Sequence, residues 1–187
     1  ASCLVGSEMC IRDSYYADLL GLPEATPWVD VESPFQARQL QVQAVSNLST
    51  RYQHRERSLA PIVALMARQF TERPGNYLAF FSSYAYLQQV LELFDREHPQ
   101  LERWVQARQM DETERQQFLE RFEPGGQGIG FAVLGGVFGE GIDLPGDRLI
   151  GAFIATLGLP QINPINEQIK LRMAEMFGSG YDYTYLY

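Results

Sequence analysis

Three short apolar runs constrain the fold of this chain more than any other feature. They span Asn76 to Phe81, Gly130 to Leu134 and Leu149 to Ala155, and none contains a charged residue. Runs of this length without polar alternation are typical of strands covered on both faces, as in a parallel sheet. The sequence therefore predicts three buried strands.

Helical patterns fill the segments around these runs. Apolar residues recur at helical spacing in four segments: Ser58 to Phe70, Tyr84 to Phe94, Asp111 to Phe122 and Asn163 to Phe177. Strands that alternate with helices predict an α/β fold in which helices cover both faces of a mostly parallel sheet. Two shorter strands are also predicted, at Gln39 to Val45, where polar and apolar residues alternate, and at Trp104 to Gln106.

Charge and composition exclude several classes of protein. The chain has 15 Lys and Arg against 23 Asp and Glu, so it is not a globally basic nucleic-acid clamp, although a local basic groove remains compatible. No apolar run approaches the roughly 18 residues that a membrane span needs, so no membrane partner is expected. Both cysteines, Cys3 and Cys10, lie in the first ten residues, so the rest of the chain has no cysteine framework. The two histidines, His54 and His98, have no Cys or carboxylate at the spacing of metal ligands, so no metal site is predicted.

The first fourteen residues differ in character from the rest. Cys3 to Ser14 resembles the in-frame translation of a sequencing-library adapter, so residues 1–14 are expected to be non-native. Residues 15–187 are then the genuine domain. We expect this segment to be a piece of a longer reading frame that continues at both ends.

In parallel sheets, ligands bind beyond the carboxyl ends of the strands. Ser82, Ser83 and Tyr84 follow the first run. The two serine hydroxyls can cap the next helix, or they can hold a phosphate together with its N-terminal amides. The basic run Arg51 to Arg57 has two similar readings, a solvated helix start or a phosphate contact.

A segment rich in glycine follows the second run and is the most specific indication of function in the sequence. Gly135 to Gly146 reads GGVFGEGIDLPG, with five glycines, two acids and a proline in twelve residues. Ile142 and Asp143 stand where a Walker A loop needs Lys and Ser or Thr, so this is not one. The glycines suggest that the backbone approaches a ligand closely, and the carboxylates could orient a ribose or an arginine. A tight solvated loop is the other reading.

In this order, the three segments resemble the second motor domain of the DinG/XPD-type DNA helicases, a branch of superfamily two. Asn76 to Tyr84 is similar to motif IV of that family, and Gly135 to Gly146 is similar to motif V. Phe153 to Pro164 resembles the strand and the Leu-Pro segment that follow. The resemblance implies a RecA-like three-layer α/β domain, incomplete at its C-terminus, with motif VI expected after Tyr187.

The resemblance also implies the function and the site residues. It implies part of an ATP-dependent DNA helicase, with unwinding in the 5'-3' direction, that forms one wall of an interdomain ATP site and part of a single-stranded DNA track. The residues implied for ATP binding and coupling are Gly139, Glu140, Gly141 and Asp143. Those implied for DNA binding are Ser82, Ser83 and Tyr84.

The same resemblance places most of the chemistry on another domain. ATP and Mg²⁺ are the implied cofactors, and the Walker A loop, the Mg²⁺ ligands and any iron–sulphur cluster would belong to a first motor domain outside this chain. The implied partners are that domain and single-stranded or forked DNA, in a bacterial cytoplasm and at the nucleoid. The fragment alone is expected to be inactive. A metabolic nucleotide-binding enzyme and a non-catalytic α/β interaction module remain as alternatives.

Overall fold

The computed structural model describes residues 17, 20–23, 27, 29, 31, 32, 34, 36–139, 141–156 and 163–186. The chain divides into two compact units, residues 1–44 and 45–187. The adapter-like segment 1–14 lies outside the described residues. In the first unit, Ala37–Gln39 form a turn of 3-10 helix. Within the described ranges, no helix is both long and apolar enough to cross a membrane.

A parallel sheet of four strands forms the centre of the second unit. In chain order the strands are β1 (Asn76–Phe81), β2 (Arg103–Val105), β3 (Gly128–Val133) and β4 (Gly151–Ala155). Their order across the sheet is β2-β3-β1-β4, and every pairing is parallel. The predicted α/β class with a mostly parallel sheet is therefore confirmed.

Among the described residues of the second unit, four α-helices accompany the sheet, and their positions agree with the sequence pattern to within a few residues. They are α1 (Arg55–Glu72), α2 (Tyr84–Glu97), α3 (Glu112–Glu120) and α4 (Pro164–Phe177). Local signals explain their starts. Asp111 caps α3 by accepting from Glu114 N at 2.8 Å, and the Glu114 side chain accepts in return from Asp111 N. Asn163 caps α4, which has Pro164 in its first turn.

Side chains of β1 alternate between two hydrophobic clusters, one on each face of the sheet. Tyr77, Ala79 and Phe81 join α1 and α2 in the first cluster. Leu78 and Phe80 join Phe118, Phe122, Phe138 and Ala132 in the second. The strand has no exposed residue because both faces are covered, which is why its sequence is a continuous apolar run.

One predicted strand is absent, and another is present but is not buried as predicted. Gln39 to Val45 is not a strand: residues 40–45 have no regular structure, and Leu40 and Val42 are mostly exposed. Their alternation matches a strand, but a strand also needs a paired neighbour and a core face. The run at Leu149 to Ala155 does contain β4, but β4 lies at the edge of the described sheet, and Ile154 is 64% exposed rather than buried.

Gly130 is fixed by the packing of the second face. A Cβ at this position would lie 2.7 Å from Phe122 Cζ and 2.9 Å from Trp104 Nε1. We expect Gly130→Ala to lower the free energy of unfolding by about 1–3 kcal/mol, because both rings would have to shift in a filled space. Denaturant titration measures this, and an unchanged midpoint would contradict the packing described.

Candidate functional site

The two serines that follow β1 both have internal partners. Ser83 is the N-cap of α2, and its Oγ accepts from Tyr86 N at 3.3 Å. Ser82 Oγ accepts from Arg55 Nη2 at 2.8 Å. The capping reading therefore holds for Ser83, whereas Ser82 is held by a charged side chain from α1.

Arg55 links the basic run to the carboxyl end of β1. Its guanidinium lies 5.1 Å from the ring centroid of Tyr52 and 4.9 Å from that of Tyr86, so aromatic rings flank the cation. Its Nε is buried and has no hydrogen-bond partner among the described residues. Nothing in the local sequence indicates that this basic run meets a serine 27 positions further on, so Arg55 is not among the predicted site residues.

Tyr86 is the buried one of the two tyrosines that contact Arg55. The side chain is fully buried, and its hydroxyl shares a 2.6 Å hydrogen bond with Ser58 Oγ. Burial raises the pKa of Tyr86, against smaller lowering effects of Ser58 and of the Arg55 charge. The phenol therefore stays neutral beside the Arg55 guanidinium.

Tyr84 stands at a groove between the start of α2 and the segment after β2. Its hydroxyl donates to Ala107 O at 3.2 Å, and the Arg108 guanidinium lies 5.6 Å from its ring centroid. The groove has a volume of about 520 Å³. It is lined by Tyr84, Ala85, Leu87, Gln88, Gln89, Val105, Gln106, Ala107 and Arg108. An aromatic ring, an exposed arginine and several amides thus face one space.

The glycine-rich segment packs onto the second face of the sheet. Phe138 is 1% exposed and stacks on Phe118 with ring centroids 4.3 Å apart. Ile142 and Leu144 pack against the same cluster. The segment is thus a largely exposed loop that these apolar side chains anchor to α3 and the sheet.

The geometry of the segment itself accounts for its glycines. Gly135, Gly141 and Gly146 have positive φ angles of 80°, 73° and 66°. A Cβ at Gly136 would lie 3.0 Å from Val133 O at the end of β3, and a Cβ at Gly139 would lie 3.2 Å from Gly135 N. The density of glycine thus needs no ligand to explain it, contrary to the expectation from sequence.

Asp143 is the residue of this segment that packing does not explain. It is exposed between Ile142 and Leu144, and it makes no hydrogen bond or ion pair with the part of the chain that the structure describes. By contrast, Asp147 accepts from Gly125 N at 3.0 Å, and Arg148 Nε donates to Phe122 O at 2.8 Å. These contacts tie the residues just after the segment to the residues just after α3.

The structure brings together only part of the predicted site. Ser82, Ser83 and Tyr84 lie together at the start of α2, whereas no described contact joins them to Asp143. Gly139 and Gly141 have the backbone roles given above, and Glu140 lies outside the described residues. Across the described ranges, no group of three or more His, Cys, Asp or Glu residues is arranged to hold a metal ion.

Comparison with known proteins decides the family. Residues 66–187, about two thirds of the chain, match the family model described as "Helicase C-terminal domain". The chain belongs to the helicase C-terminal domain family. The match covers β1 to α4, so the groove beside Tyr84 and the glycine-rich segment are both parts of this helicase domain.

A curated relative supports the same family. The helicase domain is similar to a probable ATP-dependent helicase of Methanocaldococcus jannaschii, with 28% identity over 143 residues. The alignment covers 72% of this chain and 21% of the relative. The chain therefore spans about a fifth of the length of the protein it matches.

Proposed function

We propose that this chain is the second motor domain of an ATP-dependent DNA helicase. In this proposal the glycine-rich segment forms one wall of an ATP site between two motor domains, and the carboxyl ends of β1 and β2 contact single-stranded DNA. The helicase C-terminal family match supports the general class. The DinG/XPD type, the 5'-3' direction and a bacterial cytoplasmic location at the nucleoid are finer parts of the proposal.

The observation that carries the proposal is Asp143, which has no partner among the described residues and lies on an anchored segment. Phe138, Ile142 and Leu144 hold the backbone on both sides of it, while the carboxylate itself has no described partner. A charged group held in place by its neighbours, with its own hydrogen-bonding capacity unused, is preorganised for a ligand. In a split ATP site, that ligand is the nucleotide or an arginine that contacts it.

The groove beside Tyr84 supports the DNA part. Single-stranded DNA binds to proteins through aromatic rings on which bases stack and through cations that follow the phosphates. Tyr84 and Arg108 offer both at one groove, and Arg55 adds a cation at the end of β1. The net charge of the chain does not oppose this, because binding depends on where the charges lie.

ATP and Mg²⁺ are proposed to be held mainly by the first motor domain. The described residues include no metal-binding cluster, so this chain's share of the site would be the Asp143 carboxylate and backbone groups around Gly139 and Gly141. Phosphoryl transfer depends on positioning and on charge stabilisation, so a site divided between two domains makes hydrolysis depend on their closure. The 187-residue chain by itself is then expected to hydrolyse no ATP above background.

The test uses the full-length protein that contains this chain. We expect ATP hydrolysis that single-stranded DNA stimulates, and Arg108→Ala should weaken DNA affinity about fivefold, or by about 1 kcal/mol. Arg68→Ala is the matched control, since Arg68 is an exposed arginine whose described ion pair is with Glu72. Absence of DNA-stimulated hydrolysis in the wild-type protein would contradict the proposed function.

A further inference from the structure

Gln106 ends the pairing of β2 with β3 in an unusual way. The strand β2 has only three residues, and its ladder closes with Gln106 N donating to Phe131 O at 2.8 Å. Val133 is the next residue of β3 whose N–H faces this side. In a longer β2 a main-chain carbonyl would accept from it, but here the acceptor is Gln106 Oε1 at 2.9 Å. A side chain thus fixes the last residue of β3.

The same side chain touches the beginning of the glycine-rich segment. Gln106 is only 5% exposed, and a Cβ at Gly136 would lie 3.2 Å from its Nε2. Two consecutive turns follow in the backbone. Gly136 N donates to Val133 O at 3.1 Å, and Gly139 N donates to Gly136 O at 3.0 Å. The position of the Gln106 side chain therefore affects where the backbone between Val133 and Asp143 can lie.

On its other side Gln106 borders the groove beside Tyr84. Its neighbour Ala107 receives the hydrogen bond from the Tyr84 hydroxyl, and Arg108 lies over the ring of that tyrosine. A base that stacks on the ring face covered by Arg108, or a phosphate that binds Arg108, would move this arginine. Residues 106–108 are contiguous, so such a change acts on the backbone that carries Gln106.

The geometry points to Gln106 as a positioning residue that couples occupancy of the groove beside Tyr84 to the placement of the glycine-rich segment. This inference rests on the proposed function, because it takes single-stranded DNA as the occupant of the groove and the segment as part of the ATP site. The coupling element is the hydrogen bond from Val133 N to Gln106 Oε1. It stands where a longer β2 would have a main-chain hydrogen bond, and rotation of the Gln106 side chain can break it.

Two substitutions of Gln106 in the full-length protein separate positioning from packing. Gln106→Glu keeps an acceptor for Val133 N, whereas Gln106→Met fills a similar space without one. We measure ATP hydrolysis with and without saturating oligo-thymidylate, half-saturation by that DNA, and melting temperature. Gln116→Met is the matched control, because Gln116 is exposed on α3 and its described side-chain partner is Glu120.

We expect Gln106→Met to reduce the ratio of DNA-stimulated to basal kcat about fivefold or more, which corresponds to about 1 kcal/mol of activation free energy. Gln106→Glu should retain most of the ratio, and Gln116→Met should retain it fully. Half-saturation by DNA should stay within about twofold of wild type in Gln116→Met, because Gln116 does not line the groove.

Either of two results would overturn the inference. One is a folded Gln106→Met protein with the wild-type ratio, and the other is an equal loss in the Glu and Met variants, which would assign the effect to packing. A wild-type protein without DNA stimulation would instead refute the proposed function, so the two failures are distinguishable.

Discussion

Asp143→Ala in the full-length protein is expected to lower kcat for ATP hydrolysis by about 10- to 150-fold. A charge-assisted contact made in the closed ATP site contributes about 1.5–3 kcal/mol, and each 1.36 kcal/mol is about tenfold in rate. DNA affinity should stay within a few-fold of wild type. The melting temperature should not change, because the carboxylate is exposed and has no partner among the described residues.

Asp147→Ala is the control for this prediction. Asp147 is another acid of the same region, but its carboxylate accepts from Gly125 N and so has a structural task. Its loss should lower the melting temperature and leave kcat per folded molecule close to wild type. A wild-type kcat for ATP hydrolysis in Asp143→Ala would contradict the placement of this residue in the ATP site. A lowered melting temperature of the same variant would show that Asp143 has a structural role.

Phe138→Ala is expected to have the largest effect on stability. The ring is buried and stacked on Phe118, so its removal leaves a cavity between the glycine-rich segment and α3. Truncations of this kind cost about 3–5 kcal/mol, and the lower end applies because the segment can partly collapse. For a chain of this size, 3 kcal/mol corresponds to about 6–12 °C in melting temperature.

The same substitution should also impair ATP hydrolysis in the full-length protein at temperatures where it remains folded. Asp143 would then lie on a segment that has lost its main anchor, which increases the range of positions that the carboxylate samples. Val137→Ala is the matched control, since Val137 is the adjacent residue and is 40% exposed. Equal melting temperatures for the two variants would show that Phe138 does not anchor the segment.

Element types were predictable because their signals are local. The apolar run at Asn76 to Phe81 needs cover on both faces, and the structure provides it. Asn163 and Pro164 set the start of α4 through capping and a fixed φ angle, both of which can be read from neighbouring residues. The parallel sheet followed from the alternation of strands and helices, and with it the expectation that sites lie after the strands.

Contacts between distant residues were not predictable in this way. Arg55 meets Ser82 and Gln106 meets Val133, each across 27 positions of sequence. Neither contact leaves a periodic or compositional trace, since it depends on how strands are ordered in the sheet. For this reason nothing in the sequence indicated the contacts that Arg55 and Gln106 make, whereas the capping role of Ser83 could be read from its place before a helix.

The sequence alone determined the α/β class, the positions of the helices and the resemblance to a helicase motor domain, because hydrophobic period, capping residues and motif spacing are properties of short segments. The tertiary structure alone decided that β4 lies at the edge of the described sheet, that Gln39 to Val45 forms no strand, and that the glycine-rich segment packs through Phe138. The physical reason is that strand pairing and burial are relations between segments, and a local pattern is compatible with several of them.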